Sequence, residues 1–251
     1  MITIDQYVRV QSLEDAWQLN QSKRNRILGG MLWLRLGKNH VNTAIDLCDL
    51  GLDKIEETEE AFSIGSMVTL RDIEVHEGLN AYSGHAIANA VKDIVGVQFR
   101  NMATVGGSIW GRFGFSDVLT VFQAMDSHVE LYKGGIIPLT QFAQMKPDND
   151  ILVRLIVKKT PCKVVYASVR NQRTDFPVIA CAVSRMNGEY RASIGARPSR
   201  AVLVHRDNAD GFSDFVAENV PTSGNLRGSA EYRTHLIRVL VERSMQELGG
   251  I

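Results

Sequence analysis

The residues that could do chemistry are gathered between Arg100 and Asp117. Those eighteen residues hold four glycines, one threonine, two serines and a single acid. Gly106-Gly107 lacks two Cβ atoms and can take backbone angles that other residues avoid, so a ligand could approach the main chain closely there. Thr104 and Ser108 flank the pair with hydroxyls able to donate to phosphate oxygens. Successive N–H groups in such a turn form an anion-binding nest. Asp117 follows on the far side, where a lone carboxylate could accept from sugar hydroxyls. By residue chemistry the stretch reads as a dinucleotide cradle. An ordinary glycine-rich loop is the other reading of the same pair.

The elements that must position this stretch can be traced along the chain. Ser12 to Asp15 has the build of a helix start, with Leu13, Ala16 and Trp17 then sharing a face. Arg26-Ile27-Leu28 reads as a short strand running into Gly29-Gly30, followed by the apolar segment Met31 to Leu36. Thr43 to Leu47 and Ala61 to Ile64 are further strands, and Val68 to Ile73 is a helix. Ile87, Ala90, Val91 and Ile94 fall at helical spacing and predict an inward-facing helix that delivers the chain to Gly96. Beyond Asp117, Val118 to Met125 is helical in pattern. Ser127 to Tyr132 alternates as a strand, and Gly134-Gly135 closes it as a hairpin turn. Asp150 to Val157 is a strand. Pro161 marks a boundary, after which Lys163 to Arg170, Val178 to Met186 and Tyr190 to Ala196 read as three strands. Asn187-Gly188 turns the last hairpin.

Bulk properties exclude several classes. The 251 residues carry 28 basic and 28 acidic side chains, for a formal net charge of zero. Nothing in that balance favours nucleic acid or a membrane surface. No apolar run approaches the roughly 20 residues a membrane span needs. The N-terminus lacks the basic-then-apolar build of a secretory signal. Cys48, Cys162 and Cys181 lie far apart with no CxxC spacing. They predict reduced thiols in a cytoplasmic protein, and they are too few to hold an iron–sulfur cluster alone. His85 reads as a structural or surface residue.

Ala103-Thr-Val-Gly-Gly-Ser108, with Ser116-Asp117 beyond it, resembles the second FAD motif of the molybdenum hydroxylase flavoproteins. These are the FAD-binding subunits and domains of xanthine dehydrogenase, carbon monoxide dehydrogenase and their relatives. The family usually has Thr-(Ile/Val)-Gly-Gly-Asn, then Ala-Ser-Pro and Ser-Asp. Here Ser108 replaces the Asn, and Gly111-Arg-Phe-Gly114 occupies the Ala-Ser-Pro region. The Gly29-Gly30 segment resembles the first FAD motif, Leu-Ala-Gly-Gly-Thr-Asp-Leu-Leu, with Met31 and Leu32 where Thr and Asp are common. Arg227 to Arg233 resembles the C-terminal motif, whose role is capping and docking of a final helix. At Ala167 the family often has a Lys that reaches FAD. That Lys is absent here unless a gap moves Lys163 or Arg170 into its place.

The resemblance implies an α+β protein. Residues 1–160 would form the two-subdomain FAD-binding fold of the vanillyl-alcohol oxidase type, also called PCMH-type. Residues 161–251 would form a small C-terminal domain with a three-stranded antiparallel sheet and helices. It implies non-covalent FAD, since no His or Cys lies within either glycine motif. Ile27, Leu28, Gly29, Gly30, Met31, Leu32 and Trp33, with Thr104, Val105, Gly106, Gly107 and Ser108, would wrap the pyrophosphate through backbone N–H groups. Asp117 would accept from a ribose or ribityl hydroxyl, Ile94 and Leu152 would contact a ring, and Trp33 would line the flavin or sit in the core. No residue is expected to act as a catalytic acid or base, because the cofactor carries the redox chemistry. Electrons would arrive from a partner subunit with two [2Fe–2S] clusters, fed by a molybdopterin subunit, and leave to NAD+ or another acceptor. Two other readings stay open: a subunit kept for assembly with weak or no FAD, and a self-contained flavin oxidase.

Overall fold

The computed structural model describes residues 1–249. Its first sheet is parallel, built from β1 (Thr3–Arg9), β2 (Arg26–Leu28) and β3 (His40–Asp46) in the order β1-β3-β2. The crossover helix Leu13–Asn20 begins at Ser12, whose Oγ accepts the Asp15 N–H at 3.0 Å. Such a cap satisfies one of the donors that every helix start leaves over. Val10, Ala16, Ile45 and Leu47 pack behind this sheet with Ile151 and Val153.

The second sheet holds β4 (Ile55–Glu57), β5 (Ala61–Gly65), β6 (Ser127–Leu131), β7 (Gly135–Pro138) and β8 (Leu152–Lys158). It is antiparallel, in the order β4-β5-β8-β6-β7. Short helices cover it, and Phe62, Ile64, Ile87, Ile109 and Phe122 are fully buried between the layers. The helix expected at Val68 runs from Leu70 to Val75 and starts with a reciprocal Thr69–Asp72 capping box. The helix expected through Ile94 stops earlier, spanning Ala86–Val91. Ile94 lies in the loop beyond it, beside Val95 at φ +50°.

The third sheet is a meander of β9 (Cys162–Arg170), β10 (Pro177–Met186), β11 (Glu189–Gly195) and β12 (Val202–Arg206). It has four strands where the sequence suggested three. The fourth is short and lies at the sheet edge, and four of its five residues are only half-buried, so its pattern is weak. Asn187 and Gly188 take φ of +53° and +84°, as a tight hairpin turn requires. The helices Phe212–Asn219 and Ala230–Glu247 back this sheet. Arg233 in the second helix is fully buried. It donates to the carbonyls of Val178, Ser223 and Gly228 and to Asn225 Oδ1 at 2.6–2.8 Å. With Ser229 as the cap, the Arg227–Arg233 segment docks that helix.

Candidate functional site

Two cavities, of about 580 and 560 Å³, open side by side. Both are lined by Arg26, Ile27, Gly29, Thr104, Gly107 and Trp110, so those residues form a waist between them. The first cavity is bounded by Gly30 to Leu34, Ile94, Val95, Phe113, Phe115, Asp117 and, from the C-terminal segment, Arg170 and Thr174 to Phe176. The second is bounded by Asn20, Ser22, Lys23, Asn25 to Leu28, Ser66, Gly106 and Asp148 to Leu152. Most of the residues singled out in the sequence are therefore brought together. Gly30, Met31, Leu32, Trp33, Ile94, Ser108 and Asp117 line the first cavity, and Leu28, Gly106 and Leu152 the second. Ile94 and Leu152 thus serve different chambers. Val105 lines neither; it is fully buried in the core.

The two glycine pairs reach the waist by different routes. Gly106-Gly107 is not a nest-forming turn, as the sequence suggested, but the start of the helix Val105–Trp110. Neither glycine has a positive φ. The amides expected to wrap a pyrophosphate already have acceptors: Val105 N–H donates to Val68 O, Gly106 N–H to Ser66 O, Gly107 N–H to Thr104 Oγ1 and Ser108 N–H to Thr104 O, at 2.8–3.1 Å. Glycine is needed at 106 because an added Cβ would lie 2.5 Å from Ser66 O. At 107 an added Cβ would meet only Thr104 Oγ1, at 3.1 Å, and would otherwise face the waist.

Gly29-Gly30 follows β2 in an open loop. A Cβ on Gly29 would lie 2.8 Å from Thr104 Oγ1, and one on Gly30 would lie 1.8 Å from Met102 O. The loop is therefore pressed against the segment that enters the Val105–Trp110 helix. Met31 sits in the left-handed region at φ +57°. A left-handed residue within a turn is the conformation that gathers successive N–H groups into a concavity. The N–H groups of Gly30, Met31, Leu32 and Trp33 have no protein acceptor among the described residues. These four amides are the free donors that fit a diphosphate; Arg26 lines the waist as well, with its Nη1 donating to the Lys23 and Asn25 carbonyls at 2.6 Å.

The first cavity is walled by rings. Trp33 stacks on Phe176 with centroids 5.6 Å apart, and Phe113 stacks on Phe115 at 5.2 Å. Trp33 is neither wholly core nor wholly lining: it packs on these rings while 46% exposed. At the other wall, Asp117 opens the helix Asp117–Gln123 and is buried. Its Oδ1 accepts from Arg170 Nη2 at 2.8 Å and from the Tyr166 hydroxyl. That oxygen is taken by the protein, which leaves Oδ2 for any further donor. Burial pushes the Asp117 carboxyl up, while Arg170 and Tyr166 pull it the other way. Burial alone would lower the Arg170 guanidinium, but the adjacent Asp117 carboxylate raises it. Tyr166 is pushed well above its ordinary value by burial and by the same carboxylate.

The sequence offered Arg170 as a stand-in for the missing Lys and did not connect it with Asp117. The available signal was the strand period, which puts Tyr166, Ser168 and Arg170 on one face of β9 and Ala167 on the other. Ala167 indeed packs into the C-terminal core. Arg173, in the loop that follows β9, makes a surface pair with Asp93 at 2.9 Å.

This geometry can be set beside known proteins. The family model described as the FAD binding domain in molybdopterin dehydrogenase matches residues 3–159. The chain is 24% identical over 248 residues to the uncharacterized protein YgfM of Escherichia coli strain K12, covering 95% of this chain and 94% of that one. It is 24% identical over 283 residues to the xanthine dehydrogenase FAD-binding subunit of Escherichia coli O157:H7, covering 98% and 97%. It is 22% identical over 279 residues to the glyceraldehyde dehydrogenase medium chain of Sulfolobus acidocaldarius, covering 96% and 97%. A chain of the carbon monoxide dehydrogenase of Hydrogenophaga pseudoflava superposes with a TM-score of 0.82 at 20% identity, covering 96% of each chain. The chain belongs to the family of FAD-binding domains of molybdopterin dehydrogenases, the flavin-binding components of molybdenum hydroxylases.

Proposed function

We propose that this chain is the FAD-carrying electron-transfer subunit of a molybdenum hydroxylase of the xanthine dehydrogenase type. It would receive electrons from the [2Fe–2S] clusters of a partner subunit, downstream of a molybdopterin subunit, and pass them to NAD+ or another acceptor. The observation that carries this is the pair of chambers joined at a glycine-lined waist. A dinucleotide has the same build: two ring systems joined through a diphosphate. The aromatic first cavity suits an isoalloxazine ring, and the second, with Asn20, Asn25, Asp148 and Asn149 in its wall, suits the adenosine half.

The chain's own residues have positioning roles. The free amides of Gly30 to Trp33 and the Arg26 guanidinium would hold the diphosphate by charge-assisted hydrogen bonds. Gly29, Gly106 and Gly107 leave room for it. Trp33, Phe176 and Ile94 would exclude water from the ring. When bound, FAD supplies the electron-carrying chemistry, and the protein supplies binding, orientation and electrostatics. In this reading residues 1–160 form the FAD-binding domain, and residues 161–251 form a second domain that completes the ring cavity with Arg170 and Thr174 to Phe176. No His or Cys lines either cavity among the described residues, which supports non-covalent binding. No helix among them is long and apolar enough to cross a membrane, which is compatible with a place in a cytoplasmic complex.

The test is to incubate the purified chain with FAD, remove excess by gel filtration and measure the flavin-to-chain ratio. One FAD per chain, released into the supernatant on acid precipitation, is expected. A ratio near zero for folded protein would remove the proposal, and yellow colour left in the pellet would remove its non-covalent part.

A further inference from the structure

We infer that the mouth of the first cavity is a binding subsite for a neutral, planar aromatic ligand of the quinone class, in preference to a pyridine dinucleotide. The inference rests on the FAD reading above and concerns what meets the bound flavin from outside. A second dinucleotide would bring a second diphosphate, which calls for unneutralised Arg or Lys side chains or free amides. The free amides of Gly30 to Trp33 and Arg26 at the waist are already assigned to the diphosphate of FAD. The other arginine in the lining, Arg170, is held by Asp117 at 2.8 Å. In the loop between β9 and β10, Arg173 is matched by Asp93 at 2.9 Å. Arg227 lies over the Phe176 ring and is matched by Asp175 at 3.0 Å. Asp175 itself lines the cavity. The arginines in and around the mouth are thus each matched by one carboxylate.

What the mouth offers is ring faces. Trp33 is 46% and Phe113 38% exposed, with centroids 6.2 Å apart and planes tilted by 47°. Val95, 49% exposed, adds an apolar edge. The Phe113 ring packs over Gly111, where an added Cβ would lie 2.2 Å from it. Large aromatic faces left partly in water beside a cavity gain from covering by another ring. A ligand with no charge to neutralise fits a wall whose charges are already matched.

The experiment uses FAD-loaded protein, with its FAD-to-chain ratio measured first. It is titrated separately with menadione and with NAD+, and binding is read from the flavin absorbance and the tryptophan fluorescence. Menadione is expected to give a saturable change and NAD+ none. Phe113→Ala should weaken menadione about tenfold, the scale of one lost aromatic contact, with the FAD ratio of the variant measured alongside. Asp175→Asn, which leaves Arg227 without its carboxylate, should make NAD+ binding measurable. The inference is overturned if NAD+ binds the parent protein as tightly as menadione, if menadione gives no saturable change, or if Phe113→Ala leaves its affinity unchanged. Should Phe113→Ala fail to fold, Asp175→Asn decides, and NAD+ still unbound there removes the charge argument. A chain that takes up no FAD at the first step removes the cofactor reading, and this inference with it.

Discussion

The two glycine pairs at the waist look alike in sequence and work by different physics. Gly29-Gly30 lies in an open loop whose following amides lack protein acceptors. Gly106-Gly107 lies in a helix whose first amides are all satisfied. The first pair would bind by offering donors. The second makes room, at 106 for the Ser66 carbonyl and at 107 for whatever occupies the waist. A Gly-Gly motif therefore does not by itself name its role; the hydrogen-bond accounting of the neighbouring amides does.

Gly30→Ala should have the largest effect. Its Cβ would fall 1.8 Å from Met102 O and 2.6 Å from the Met102 carbonyl carbon, and backbone on backbone cannot relax cheaply. The loop must leave the segment it presses on, carrying the free amides with it. Loss of FAD from the gel-filtered protein and a clear drop in Tm are the expected results. Full FAD content would mean the loop is not the donor.

Gly107→Val separates room-making from folding. Val has a better helix propensity than Gly by roughly 0.3 kcal/mol, so Tm should hold. The side chain would enter the waist, where overpacking costs roughly 1–3 kcal/mol. That corresponds to about tenfold to a hundredfold weaker FAD binding. Gly134→Val is the reference: its Cβ would meet Leu131 Cδ1 at 3.1 Å and Asp150 Oδ2 at 3.2 Å, so the cost falls on the hairpin. The left-handed residue of that turn is Gly135, at φ +69°. FAD retained by Gly107→Val but lost by Gly134→Val would put the waist in the wrong place.

How far this site was legible in the sequence follows the same division. Periodicity and caps located Ser12, the β10–β11 hairpin and the final helix, because those signals are local. The residues that line the two cavities were legible as a set because the resemblance covers nearly the whole chain. Their hydrogen-bond states were not, because they depend on partners distant in sequence: Gly106 on Ser66, Asp117 on Tyr166 and Arg170. Ile94 illustrates the limit. Its helical spacing with Ile87 and Val91 is genuine, yet the helix stops at Val91 and a loop carries Ile94 to the cavity.

A smaller effect is expected from Thr104→Val. Thr104 Oγ1 caps the Val105–Trp110 helix by accepting the Gly107 N–H at 3.1 Å. Losing such a cap costs about 1 kcal/mol, which should appear as a lower Tm. It would also release one amide at the waist, so FAD affinity should fall by less than for Gly107→Val. An FAD loss exceeding that of Gly107→Val would show that the hydroxyl itself contacts the cofactor, and would narrow the difference between the two glycine pairs.

The smallest effect on the cofactor should come from pH, through Glu74. Its carboxylate accepts from Arg100 Nε at 2.7 Å and Nη2 at 3.1 Å, with Arg71 3.0 Å away. Arg100 Nη1 also donates to Ile94 O at 3.2 Å, so the pair steadies the loop that lines the first cavity. Burial alone would raise Glu74, but the two arginines prevail and hold it below its ordinary 4.5. A carboxyl depressed in the folded state adds stability that is present above its unfolded value and lost as pH falls through the folded one. Between neutral pH and about 4.5 this contribution should therefore be constant, and below that it should decline. Glu74→Gln should lower Tm at neutral pH and flatten the part of the acid limb that Glu74 supplies, while FAD content near neutral pH changes little. Equal acid limbs in the parent and the variant would mean that Glu74 does not hold Arg100, and that the Ile94 loop is steadied by its packing alone.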